Sequence, residues 1–185
     1  MTASPANEDP DALGAVQRLL QLGEVAKALE TLNSLADSSQ SSVMGQYMRG
    51  VCFRLMRDFA NAESALRQLV KGNPSYGRAF QELGHLYRDA NMPTEALNAY
   101  ATACHLNPSL KASWAAQRDL IGKGSPERAA QINQRLQWLE SLPPALLASW
   151  DLLHEGKLHK AEQLCRHFMQ QNPQHIDGMR VLAEI

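Results

Sequence analysis

The sequence predicts an all-α fold, a solenoid of antiparallel helix pairs, and two observations carry that expectation. Alanine recurs at Ala28, Ala62, Ala96 and Ala130 with a constant spacing of 34 residues, then at Ala161 after a step of 31. Asn-Pro pairs close successive stretches at Asn73-Pro74, Asn107-Pro108 and Asn172-Pro173. A fixed period of this length marks stacked repeats, each one supersecondary unit that cannot bury its apolar face alone.

Taken in order, residues 1–8 are polar, with no basic start and no apolar run, and are expected to form a disordered tail rather than a secretory signal. The first unit spans 9–42. Gly23 falls between its two helices, where a left-handed cap costs little, and Ser38 to Ser42 stand in place of a closing proline. The second unit, 43–76, repeats the frame, with Gly50 and the Asn73-Pro74 close. The third, 77–110, has the fullest pattern. Phe80, Leu83, Gly84 and Tyr87 lie on its first helix, Ala96, Tyr100 and Ala103 on its second, and Pro108 ends it. Gly84 and Ala96 are small enough for the two helices to approach closely, and Tyr87 and Tyr100 fill the space between units. Pro93 sits in the first turn of the second helix, a position that needs no amide donor.

The fourth unit, 111–141, is degenerate. Trp114 keeps an aromatic position, but Gln117, Arg118 and Gln134 replace apolar or small residues. Its second helix starts at Ser125-Pro126-Glu127. The fifth unit, 142–175, opens on Pro143-Pro144 after the shortened step and turns at Gly156. Residues 176–185 read as the first helix of a truncated sixth unit. Met179, Leu182 and Ala183 share one face there, too apolar for a terminal cap, so the chain is expected to be the N-terminal part of a longer protein.

The spacing of Phe80, Leu83-Gly84 and Tyr87, then Ala96, Tyr100 and Pro108, resembles the tetratricopeptide repeat (TPR) signature. The resemblance implies a right-handed superhelix whose concave surface is lined by the first helices. In that family the groove-facing positions are the second, fifth, ninth and twelfth of each unit. Here they fall on Met44, Tyr47, Val51 and Arg54, on Arg78, Gln81, His85 and Arg88, and on Ala112, Ala115, Asp119 and Gly122. The function implied is a non-catalytic scaffold for protein or peptide. Its candidate groove residues are Tyr47, Arg54, Arg78, Gln81, His85, Arg88 and Asp119, and its ligand has an acidic and hydrophobic character. The Lys and Asn set with which chaperone-binding members hold a C-terminal carboxylate is replaced by Tyr47/Val51, Gln81/His85 and Ala115/Asp119, which argues against that ligand. A homodimer through the open C-terminal repeat is also expected.

The runs Glu155-Gly156-Lys157-Leu158, Ala161 to Cys165 and Asn172 to His175 are similar to the N-terminal TPR region of bacterial sulfotransferase fusion proteins. That resemblance implies an alternative role, a substrate-positioning or dimerisation arm of a longer enzyme using a phosphosulfate donor. The donor-binding loop is absent from these residues.

Other classes fare poorly. Lys plus Arg number 18 and Asp plus Glu 19, a net charge of −1 that lacks the basic excess of a nucleic-acid binder. No stretch approaches the roughly 20 apolar residues of a membrane span. Three scattered cysteines, Cys52, Cys104 and Cys165, suit reduced thiols and a cytoplasmic setting. His154 and His159 are five residues apart, and Cys165 and His167 two apart, neither being a helical metal pair, so no metal is expected. With no phosphate-binding glycine loop either, no cofactor and no enzymatic activity are expected.

Overall fold

The computed structural model describes residues 10–185; the tail read from sequence at 1–8 lies outside them. Among the described residues there are twelve α-helices, one 3-10 turn and no strand. The chain divides into two units, the first ending at Pro74 and the second beginning at Ser75.

The first unit contains α1 (Pro10–Gln21), α2 (Val25–Ser34), α3 (Asp37–Ser41), α4 (Val43–Leu55) and α5 (Phe59–Gly72). Leu13, Val16, Ala28, Leu32, Met48 and Cys52 form its buried centre. Gly50 on α4 is where two helices come nearest: a Cβ there would lie 2.6 Å from Leu66 on α5. The serine run that replaces a closing proline forms α3, and the Ser42 side chain caps α4 by accepting from the Gly45 amide at 3.0 Å.

The second unit contains α6 (Gly77–Asp89), α7 (Pro93–Leu106), α8 (Lys111–Ile121), a 3-10 turn at Gly122–Gly124, α9 (Pro126–Ser141), α10 (Pro144–His154), α11 (Leu158–Gln171) and α12 (Ile176–Glu184). Gly84 repeats the part of Gly50, since a Cβ would meet the Tyr100 ring at 2.6 Å. Leu139, Leu142, Leu146, Trp150, Cys165 and Val181 form a core around α9 to α12, with Leu182 and Ile185 packed against it. Ile176 and Met179 of α12 remain exposed.

One turn recurs in both units. Gly23, Arg57, Asn91 and Gly156 all have positive φ, at 77°, 62°, 58° and 74°. Each donates its amide three residues back, and the next residue donates five residues back, as in Gly23 to Leu20 and Glu24 to Leu19. This Schellman pair consumes helix-end carbonyls and reverses the chain tightly. The Asn-Pro closes work differently. Asn73, Asn107 and Asn172 cap α5, α7 and α11 with φ between −139° and −134°, outside the left-handed region, each amide bonding four residues back.

The fourth helix pair departs from the alanine frame. Ala28, Ala62, Ala96 and Ala161 are fully buried, whereas Ala130 is exposed. The buried positions of α9 are Ile132, Leu136 and Leu139. A 3-10 turn at 122–124 stands between α8 and α9, and Ile132, two residues past Ala130, is the first buried residue of α9. The 34-residue spacing therefore does not put Ala130 in the core, unlike the other four alanines.

Candidate functional site

The first helices α6, α8 and α10 of the second unit, with the turn at 109–110, line a recess of about 340 Å³. Arg78 and Gln81 contribute from α6, Lys111 and Ala112 from α8, and Pro144, Leu147, Ala148 and Asp151 from α10. Half of this wall is apolar and half can hydrogen-bond, a mixture suited to a peptide backbone carrying one apolar side chain.

An ionic network forms one end of the recess. The Arg78 guanidinium pairs through Nη2 with Asp151 and through Nε with Glu155. Asp151 lies in the last turn of α10 and Glu155, four residues on, is its C-cap residue, so Arg78 meets both at one end of the helix. Asp151 Oδ1 also accepts from Asn107 Nδ2 at 2.7 Å and from Ser109 Oγ at 3.2 Å, and both donors are buried. Glu155 accepts from Lys157 Nζ at 2.6 Å. Burial pushes the Glu155 carboxyl up, but Lys157 and Arg78 together hold it below its ordinary value. Burial and the neighbouring Glu155 push the Tyr76 hydroxyl well above its usual range.

The seven residues singled out from sequence have different surroundings. Tyr47 is half-buried against the core of the first unit, and Arg54 is half-buried in the last turn of α4. In the second unit Arg78 and Gln81 line the recess. His85 Nδ1 lies 2.7 Å from the Tyr100 hydroxyl, with the rings edge to face at 5.3 Å. Arg88 is exposed with Nη2 3.4 Å from Asp89, and Asp119 is exposed and paired with Arg118 at 2.9 Å. Asp151, Glu155 and Asn107 were not found by sequence reasoning. The one signal for the two acids is their four-residue spacing at the end of a predicted helix.

Burial raises the thiol of Cys52 to about 11 and that of Cys104 to about 12, which leaves both protonated at neutral pH. Among the described residues no helix is long and apolar enough to cross a membrane.

Comparison with known proteins agrees with this architecture. The family model described as tetratricopeptide repeat matches residues 13–77 and again 56–111. It ends before the 153–185 segment that carries the sulfotransferase resemblance. Among solved structures, a thermophilic TPR protein of Thermus thermophilus superposes with a TM-score of 0.60 at 18% identity, covering 94% of this chain and 97% of that one. The crystal structure of MamA gives 0.60 at 20% identity, over 70% of this chain and 76% of its own. YrrB, described as a TPR protein with an unusual peptide-binding site, gives 0.52 at 14% identity over 94% and 91%. At these identities the likeness is one of fold. No curated protein matches the chain significantly.

Proposed function

Since the chain belongs to the tetratricopeptide repeat family, we propose that it is a non-catalytic scaffold that binds protein or peptide on the face of its first helices. The observation that carries this reading is the recess shared by α6, α8 and α10, whose wall mixes Leu147 and Pro144 with Gln81 and Lys111. Recognition of an extended segment needs backbone partners and a side-chain pocket together. The scaffold is read as five units, 9–42, 43–76, 77–110, 111–141 and 142–175, with a sixth beginning at 176. Tyr47, Arg54, His85, Arg88 and Asp119 belong to the same first-helix positions. An acidic and hydrophobic partner follows from the cationic members, although Arg78 already faces two carboxylates and acts as a brace. Self-association through exposed Ile176 and Met179, and a cytoplasmic setting for three buried unbridged cysteines, are parts of the same proposal.

Peptides selected from a random display library on the wild-type chain provide the test. Ala148→Trp fills the recess from an exposed position. It should weaken recess-binding peptides at least tenfold while leaving the melting midpoint unchanged. Peptides that all bind both proteins equally would remove the ligand from the first-helix face.

A further inference from the structure

The second unit holds a larger cavity away from that recess. It measures about 600 Å³ and is lined by α7, α8 and α9. Cys104, Ile132 and Trp114 give it apolar walls, and His105, Arg128 and Arg135 supply cationic and titratable groups. No carboxylate lines it. The Trp114 ring is fixed in place because its Nε1 donates to the Pro108 carbonyl at 3.0 Å.

The cationic side is unusually short of counter-charge. Among the described residues neither His105 nor Arg128 has a side-chain hydrogen-bond or ion-pair partner. Arg135 is held by rings rather than by acid: its guanidinium lies 4.4 Å from the Trp138 centroid and 5.0 Å from that of Trp150. Its Nε is buried without a hydrogen-bond partner. The carboxylate near Arg135 is that of Glu184, which is engaged by Trp150 Nε1 at 2.8 Å. Burial lowers the affinity of Arg135 for its proton.

We propose that this α7–α8–α9 cavity is a second binding site, which takes an acidic peptide segment with an apolar side chain next to its carboxylate. The apolar group fills the space beside Trp114 and Ile132, and the carboxylate meets Arg128 and His105 at the rim. The volume is within the range of natural ligand pockets, and charge complementarity selects the class of occupant. A nucleic-acid backbone suits it less well, since phosphate binding needs a continuous cationic track rather than one cluster with an apolar floor.

This inference rests on the scaffold reading and assigns its acidic preference to a different face. The same random-peptide selection on the full chain separates the two. Expected is a class of peptides carrying Asp or Glu beside Phe, Leu or Trp that shifts the Trp114 indole resonance in a nitrogen–proton correlation spectrum. Their affinity should fall at least tenfold in Arg128→Glu and in His105→Glu, fall with added salt, and be unchanged in Ala148→Trp. Both charge reversals are at exposed helical positions, and circular dichroism checks that each variant is folded. Selected peptides without acids, or acidic peptides that bind Arg128→Glu as tightly as wild type, overturn the proposal. If such peptides are lost in Ala148→Trp instead, the recess reading survives alone. If no peptide is selected on the wild-type chain, both readings fail. Displacement of the peptides by a random single-stranded oligonucleotide would reassign the cavity to nucleic acid and also overturn it.

Discussion

The four left-handed turn residues show how little side-chain identity the turn itself requires. Gly23 and Gly156 have nothing within 4 Å of an added Cβ, so a substitution there meets only backbone strain. Gly156→Ala should therefore cost about 1 kcal/mol, the price of αL for a residue with a Cβ. Asn91→Gly at the equivalent turn should gain a few tenths to about 0.5 kcal/mol, because asparagine already tolerates this conformation. Chemical denaturation of the two variants beside wild type checks both signs. Glycine made two of these turns legible in the sequence. Arg57 was not legible, because its φ of 62° is imposed by the amides of Arg57 and Asp58 bonding back to α4, while its guanidinium stacks on Phe59 at 5.1 Å.

Among the elements, α9 is where periodicity misleads. A spacing of 34 residues predicts a buried Ala130, but that residue is exposed and the buried stripe of α9 runs through Ile132, Leu136 and Leu139. Sequence periodicity counts residues, whereas packing responds to angle, and the two part company at Ala130. The other four second helices follow connections of matching length, and their alanines are buried. The contrast yields a paired expectation. Ile132→Ala should cost about 2–5 kcal/mol, as for loss of a buried aliphatic side chain. Ala130→Leu, at an exposed site, should change stability by no more than about 0.5 kcal/mol. Equal melting shifts for the two variants would show that α9 is rotated from the orientation described.

Within each unit, the main helix packing connects near neighbours in the chain: α1 with α2, α2 with α4, α4 with α5, α6 with α7, α7 with α8, α8 with α9, α10 with α11 and α11 with α12. The Arg78 network is the long-range exception, tying α6 to α10 within the second unit. Only half of it could be read in advance. The repeat frame predicts Arg78 as a groove cation, but its acids depend on where the shortened fourth-to-fifth step brings α10, and no local pattern encodes that. Glu155 gives the network a pH signature. A carboxyl held below its ordinary value of 4.5 contributes stability fully above that value and loses it as pH falls through the folded-state value. Glu155→Gln should thus lower stability by about 1–2 kcal/mol at pH 7, in the range for a lost charged hydrogen bond. The difference from wild type should vanish on acidification, which thermal melts across pH 2–7 would reveal; a pH-independent gap would mean that the carboxylate's charge is not what holds α10. There is a consequence for how the second unit comes apart. A linear array coupled only between adjacent repeats behaves as a one-dimensional chain and can fray from an end, one repeat at a time. A bond that skips a repeat adds a next-nearest-neighbour coupling. Opening α10 to α12 then also strips the counter-charges from α6. Fraying at the C-terminal end is penalised at the other, and α6 through α12 gain a shared reason to unfold together.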